Sequence, residues 1–443
     1  MGESTHRVRR ISGVTWKFAV LEFFFWSSVV ALEAFLVPYL TDIGLGSGAA
    51  GIIMSSIFLG GIVAAPLWGA YCDAGSRHRF VMLFSFGVGS LAVLLLPVAG
   101  ASLLPVFALG LIYSATANAM PGILDSWIMH RRRSDAAIQY GLARGFGSAG
   151  FALSGLTLGR LIDTTSLGVM FPYYAVVVGL AAIMAFRIAR APLAESHETA
   201  DEKAPPKREP DIWDDDSAPV HAVADRPVTA SRAHLSGGAV RAMLSSIPYL
   251  VFLAMSLLIF IQLRAAITFL PLLIYEAGGS STQVGLAQTV SAGGEIPFMF
   301  ASVLLLKWFR PRVLLLFSMA MFVFRIGILG WIQSPEGLVA AQALHGLSFG
   351  VFLPVSIHYI DRIAPRRYAT VFQTTATSVH FGIGSVIGSS LSGIIVESIG
   401  LRAMYRLLSI PVIIATLGFA VFLMIDSRGS RRTQNSNRTV ASE

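Results

Sequence analysis

The sequence predicts an all-α membrane protein with twelve transmembrane helices, arranged as two pseudo-symmetric six-helix bundles. Composition is the first observation, because 54% of residues are hydrophobic and only 13% are charged. A soluble domain usually carries about twice that charged fraction. The second is a series of apolar stretches, each near the roughly 20 residues that a helix needs to cross a bilayer. The third is the alternation of basic and non-basic loops between those stretches.

Twelve stretches have the length and apolar content of membrane-spanning helices. We number them spans 1 to 12 and predict them at residues 14–40, 48–71, 80–99, 103–129, 138–161, 168–188, 247–275, 283–306, 312–333, 336–360, 368–395 and 403–425.

A charged, proline-rich segment divides the spans into six and six. It holds too little apolar surface to offset chain entropy, so we predict a disordered linker. The predicted organisation is an N-terminal six-helix bundle, a linker, a C-terminal six-helix bundle and a tail, at 1–189, 190–240, 241–427 and 428–443.

The two halves also resemble each other as weak repeats. Pro38 near the end of span 1 matches Pro271 near the end of span 7, and Gly51 follows at nearly the same interval as Gly285. Two parallel six-helix repeats are a known architecture of secondary transporters.

Basic residues explain the net charge of +8 without a nucleic-acid partner. They flank alternate spans: Arg7, Arg9, Arg10 and Lys17 before span 1; Arg77 and Arg79 after span 2; Arg131, Arg132 and Arg133 after span 4; Lys307, Arg310 and Arg312 after span 8; Arg362, Arg366 and Arg367 after span 10; Arg428, Arg431 and Arg432 after span 12. This positive-inside pattern predicts that both termini and the linker are cytoplasmic. We expect an integral protein of a bacterial inner membrane.

Neither an enzyme nor a cofactor is predicted. The single cysteine, Cys72, excludes an intrachain disulfide and a thiolate metal cluster. No P-loop, HExxH or GxSxG motif occurs in the context that its chemistry requires. We expect a monomer whose partners are a small-molecule solute, protons and the lipid bilayer.

Seven charged residues lie deep within the predicted spans. A charge at the bilayer centre costs about 2.5–3.5 kcal/mol on insertion scales, so each should face a water-filled cavity or an opposite charge. The simplest interpretation is a solute transporter. The residues are Glu22, Glu33, Asp125, Arg144, Arg264, Glu295 and Arg325.

Two groups of these residues share a depth in the membrane. Glu295, Arg325 and His345 fall near the middle of spans 8, 9 and 10, which indicates either a proton relay or a static buried ion pair. Asp125 and Arg144 lie at a common depth in spans 4 and 5. They could bind solute, since a guanidinium suits a carboxylate or vicinal hydroxyls, or simply neutralise each other.

Span 1 carries two acids on one face. Glu22 and Glu33 are eleven residues apart, about three helical turns, which indicates a polar path along that face. Arg264 on span 7 lies near the depth of Glu33 and is its candidate partner between the halves. For His380 in span 11, a hydrogen-bonded structural role is favoured.

One loop resembles a family signature. The segment GAYCDAGSRHR, from Gly69 to Arg79, resembles the loop motif of the major facilitator superfamily, with Ala74 in place of its usual basic residue. The resemblance implies the major facilitator fold. It also implies a cytoplasmic gate that latches the halves, formed by Gly69, Asp73, Arg77 and Arg79. The alternative is an ordinary cytoplasmic turn.

Three further segments narrow the resemblance to a branch. Residues 140–151, 293–297 and 342–355 resemble nucleoside/proton symporters, phenylpropionate-type permeases and, more distantly, lactose permease. Similarity to lactose permease implies solute binding at Asp125 and Arg144. In its proton relay a glutamate lies one turn after the histidine, and Ser348 stands there in this chain.

The predicted function is proton-coupled import of a small polar or anionic organic solute by alternating access. The proton-coupling candidates are Glu295, His345, Glu22 and Glu33, and the solute-binding candidates are Asp125, Arg144, Arg264 and Arg325. Two alternatives stay open: a proton-driven exporter of amphipathic compounds, and a non-transporting solute receptor that signals through the acidic linker.

Overall fold

The computed structural model describes residues 12–75, 77–135, 137–188 and 237–442. Most of the predicted linker therefore lies outside the described residues. Its last four residues begin a short helix, Gly237–Ser245, which precedes the second half.

The described chain contains the twelve predicted membrane-spanning segments. Spans 1 to 12 are Gly13–Asp42, Ser47–Asp73, His78–Ala99, Leu103–Arg132, Tyr140–Thr164, Leu167–Arg187, Ile247–Glu276, Ser281–Trp308, Pro311–Leu329, Pro335–Ile363, Arg366–Ile399 and Leu401–Ile425. Eleven of them are long and apolar enough to cross a bilayer. Span 5 is more polar, yet it packs along span 1, so the twelve-helix prediction is confirmed.

Three spans contain breaks that the apolar pattern does not reveal. Span 4 is interrupted by a 3-10 turn at Ala117–Ala119, just before Pro121, which has no N–H to continue the helical hydrogen bonds. Spans 10 and 11 contain π-helical turns at Gly346–Gly350 and Ser378–Ile383. Such turns are often found at functional sites.

Among the described residues, the two halves share one hydrophobic core, which lies toward one end of the molecule. That core combines the first half with parts of spans 7, 8, 9, 10, 11 and 12 around the turn at Gly278. A second core contains residues of the second half alone, toward the opposite end. We call the shared end, with the turns at Gly44 and Gly278, the closed end. The opposite end, which carries Asp73, Asp135 and Arg310, is the open end.

Glycines bring the helices of the two halves into contact near the closed end. Gly51 of span 2 lies against Gly393 of span 11, so that an added Cβ would meet the Cα of Gly393 at 2.9 Å. Gly155 of span 5 lies against Gly285 of span 8 in the corresponding way, with 3.0 Å from an added Cβ to a carbonyl oxygen. Small residues permit this close helix packing in membranes.

Two carboxylates complete the closed end, and each caps a helix of the other half. Asp163, at the end of span 5, accepts hydrogen bonds from the backbone N–H groups of Ser281 and Thr282 at 2.7 and 2.9 Å. Glu397, near the end of span 11, accepts one from the N–H of Gly48 at 2.9 Å. Both satisfy donors that a helix N-terminus leaves unpaired. We call these contacts the carboxylate caps.

Candidate functional site

A cavity of about 410 Å³ lies between the two halves. Five of the predicted residues line it: Glu33, Arg144, Arg264, Glu295 and His345. Aromatic rings form much of the remaining wall: Trp26, Phe151, Phe260, Phe349 and Phe381. The structure thus brings ionisable side chains from spans 1, 5, 7, 8 and 10 to one chamber.

A hydrogen-bonded network extends from the second-half wall of the cavity. Glu295 Oε1 lies 3.0 Å from His345 Nε2, and His345 Nδ1 lies 2.8 Å from Arg325 Nη1. Arg325 Nη2 in turn donates to Gln342 Oε1 at 2.6 Å. The predicted proximity of the three ionisable residues in spans 8, 9 and 10 is therefore observed.

The donors of this network determine where the imidazole proton lies. A guanidinium can only donate, so His345 Nδ1 must accept from Arg325. The ring proton then resides on Nε2, which donates to Glu295. Glu295 is half-buried and faces the cavity, whereas His345 and Arg325 are buried. Of the three, the Glu295 carboxylate is the most accessible from the cavity, since 24% of its side chain is exposed against 5% for His345.

Gln342 is a member of this network that sequence reasoning missed as a site residue. Its oxygen accepts from Arg325, and its amide nitrogen donates to the carbonyl of Leu338 at 3.0 Å, which fixes its orientation. Gln342 lies three residues before His345, which places both side chains on one face of span 10. That spacing could have indicated Gln342 as a site residue from the sequence.

Glu33 and Arg264 connect the halves across the cavity. Arg264 Nη1 lies 3.4 Å from Glu33 Oε1, as the shared depth predicted. The guanidinium also lies over the ring of Phe58 in span 2, with 4.0 Å from Cζ to the ring centroid. Spans 1 and 2 of the first half thus hold a cation from span 7 of the second.

In the cavity wall formed by the first half, a guanidinium group stacks on an indole ring. Arg144 lies over the ring of Trp26, with 4.5 Å from Cζ to the centroid. The Trp26 Nε1–H donates to Glu22 Oε2 at 2.9 Å. Glu22 is only 1% exposed, so it lies behind the indole and away from the cavity.

Asp125 takes a different partner from the one that its depth suggested. Its Oδ1 accepts from the Tyr140 hydroxyl at 3.1 Å. Among the described residues, it forms no direct ion pair with Arg144, and it does not line the cavity. The Tyr140 hydroxyl, at the start of span 5, lies close enough to donate a hydrogen bond to the Asp125 carboxylate. Arg144 instead faces the cavity.

Gly147 makes room for the first-half cluster. An added Cβ would lie 2.5 Å from a ring carbon of Trp26, 3.0 Å from Glu22 Oε2 and 3.1 Å from Arg144 Nη1. Real Cβ atoms are very seldom that close to other atoms, so a side chain here would displace the cluster. The glycine-rich sequence of span 5 predicts close helix packing, but it does not predict which side chains pack against each glycine.

The predicted gate residues lie apart from the second half. Asp73 ends span 2 and is exposed. Arg77 lies over the ring of Tyr71 at 4.6 Å, and Arg79 over Phe186 at 4.3 Å. In the part of the chain that the structure describes, no ion pair joins the halves at this end.

His380 lies away from the charged network. Its Nε2 is 2.7 Å from the Ser256 hydroxyl, and the ring stacks on Phe260 with 4.4 Å between centroids. These contacts match the structural role that its sequence context favoured.

Comparisons with known proteins agree with this architecture. The model of the MFS_1 like family matches residues 15–407. Maltose permease of Geobacillus stearothermophilus is 28% identical over 414 residues, which are 93% of this chain and 94% of that permease.

Solved transporter structures share the fold. The nucleoside transporter NupG superposes with a TM-score of 0.77 at 14% identity, covering 93% of this chain and 99% of NupG. A bacterial homologue of the human lysosomal transporter Spinster, solved in an inward-facing conformation, gives 0.58 at 14% identity, covering 94% and 97%. The family match, the twelve-helix fold and the central cavity lead to one conclusion: this chain belongs to the MFS_1 like family and is an integral membrane transporter, not an enzyme.

Proposed function

We propose that the protein is a proton-coupled symporter, which imports a small polar or anionic organic solute by alternating access. The observation that carries this proposal is the position of Glu295. Its carboxylate faces the solute cavity on one side and accepts the His345 Nε2–H on the other. One titratable group can therefore sense both solute and protons.

The charges that line the cavity explain how proton and solute would cooperate. Glu33 and Arg264 offset each other, which leaves Arg144 and Glu295. Protonation of Glu295 removes the one remaining negative charge and leaves Arg144 as an unbalanced cation. An anion or an electron-rich hydroxyl cluster then binds more tightly, and bound solute must favour protonation by the same factor.

Arg144 is the proposed solute contact of the first half. It has no carboxylate within 4.0 Å among the described residues, and it lies on Trp26 at the cavity wall. A guanidinium can bind two oxygens at once, whether of a carboxylate or of vicinal hydroxyls. Because maltose permease is a relative over nearly the whole chain, polyhydroxylated solutes are the first class to test.

The basic loops at the open end support the proposed topology. We propose that the arginine-rich open end is cytoplasmic, in a bacterial inner membrane, with both termini and the linker 190–240 on that side. The structure then corresponds to an inward-facing state. The gate residues Asp73, Arg77 and Arg79 would meet the second half only after the open end closes. We further propose that the monomer is the working unit.

The test is uptake into proteoliposomes under an imposed gradient, acid outside, with maltose, nucleosides and monocarboxylates as candidate solutes. The native protein should accumulate one of them, and accumulation should collapse when a protonophore removes the gradient. Glu295→Gln should lose accumulation but retain solute exchange at equal concentrations, since only the proton site is removed. Glu336→Gln, an exposed acid at the closed end, is the matched control.

Two results would contradict the proposal. Uptake of the transported solute that ignores the proton gradient would exclude symport with protons. Undiminished accumulation by Glu295→Gln would exclude that carboxylate as the coupling group.

A further inference from the structure

A second cavity, of about 310 Å³, lies at the open end and is separate from the central cavity. It is formed where span 9 begins and span 10 ends. Its lining residues are Arg310, Pro311, Arg312, Tyr359, Arg362 and Ile363. None of the residues of the central cavity contributes to it.

The electrostatics of this cavity favour an anion. Three of its six lining residues are arginines, and none is an acid. The nearest acid in sequence, Asp361, is exposed and does not line the cavity. The N-terminus of span 9 adds to the positive field, because Arg310 occupies its N-cap position and the helix runs for 19 residues.

Neighbouring aromatic residues indicate that the cavity lies at the level of lipid headgroups. Trp308 and Phe309, directly before Arg310, are 69% and 49% exposed. Exposed tryptophan is typical of the boundary between headgroups and hydrocarbon. Within the first two turns of span 9, Val313 and Phe317 are also exposed, and their spacing of four residues places them on one face of the helix.

We propose that this cavity binds the phosphate group of an anionic phospholipid. Arg310 and Arg362, both exposed at the rim, would bind the phosphate oxygens, since guanidinium groups suit that geometry. The acyl chains would lie along Val313 and Phe317. Basic pockets between transmembrane helices on the cytoplasmic side bind phospholipid headgroups in other membrane proteins.

Native mass spectrometry of the full-length protein, titrated with phosphatidylglycerol, tests this directly. We expect retained phosphatidylglycerol and, at equal concentration, little phosphatidylcholine. The double variant Arg310→Gln/Arg362→Gln should bind phosphatidylglycerol about 30-fold more weakly, because each arginine near an anionic lipid contributes about a factor of five. Arg132→Gln/Arg367→Gln removes two exposed arginines at the same end outside the cavity, and should change binding less than about twofold.

Further experiments distinguish binding of the lipid from binding of a soluble anion and from misfolding of the variants. Competition by millimolar inorganic phosphate should leave phosphatidylglycerol bound, and displacement would overturn the lipid assignment. Arg310→Lys/Arg362→Lys keeps the charge but loses the planar fork, and should bind with intermediate affinity. Equal binding by the native protein and the glutamine variant would overturn the proposal, as would an equal loss in the control variant.

Discussion

The carboxylate caps should stabilise the conformation in which the two halves are in contact at the closed end. Asp163 and Glu397 each join the halves, and they share no partner residue. In the alternate state of the transporter the closed end must separate, and both caps must break. We therefore expect the double variant Asp163→Ala/Glu397→Ala to shift the population away from the structure observed here.

The size of the shift follows from the hydrogen bonds that are lost. Asp163 accepts from two backbone N–H groups and from the Thr282 hydroxyl, the last at 2.6 Å, whereas Glu397 accepts from the N–H of Gly48. Removing a side-chain cap from a helix costs about 1 kcal/mol, within a range of about 0.5–2. Two caps give about 2 kcal/mol, which corresponds to about a 30-fold change in the equilibrium between closed and open states of this end.

Electron–electron double resonance can measure this population. Spin labels at Ala101→Cys and Gln333→Cys, in a Cys72→Ser background, place one probe on each half at the closed end. The native caps should give a predominantly short distance. Loss of both caps should add a longer component whose weight reflects the predicted shift, and each single variant should show about a fivefold shift.

The neighbouring residues provide matched controls. Thr164→Ala and Ser398→Ala remove hydroxyl groups that bond only to carbonyls of their own helices. They should leave the distance distribution unchanged. An unchanged distribution in the double cap variant, with native folding, would refute the inference that the caps hold this end closed.

Three further predictions test the packing and the buried network. Gly285→Val should prevent the closed end from forming, because its side chain would meet the backbone of Gly155, and the long distance should then dominate the same measurement. Gly147→Ala should weaken solute binding about tenfold or more in equilibrium binding, whereas Gly145→Ala, with open space around it, should not. Arg325→Met leaves buried acceptors unpaired, so thermal unfolding should show a loss of about 1–3 kcal/mol and proton-driven accumulation should fail.

Much of the site could be predicted from sequence because hydrocarbon penalises charge so strongly. Glu33, Arg264 and Glu295 could be placed at a shared chamber without any knowledge of helix packing. The repeat pattern was equally informative. Gly51 and Gly285, which correspond in the two halves, each contact the fifth span of the opposite half.

Other features depend on geometry that a linear pattern does not contain. Asp163 and Glu397 lie beside loops, where acids are common, and their partners are more than one hundred residues away in sequence. Asp125 shows the limit of arguing from depth alone. It shares a level with Arg144, but rotation about the helix axes directs its carboxylate to Tyr140 instead.

The described contacts differ in how a rocking motion would affect them. The Glu295–His345–Arg325 network lies wholly within the second half, so rigid movement of the halves leaves it intact. The carboxylate caps join the halves, but they do not line the cavity. Of the ion pairs among the described residues, the one between Glu33 and Arg264 both lines the cavity and joins the halves. A solute that competes for either side chain would weaken a contact between the halves at the moment of binding. Occupancy of the chamber could thereby change the free energy of the conformational step, whereas in the proposed coupling protonation of Glu295 acts on the affinity.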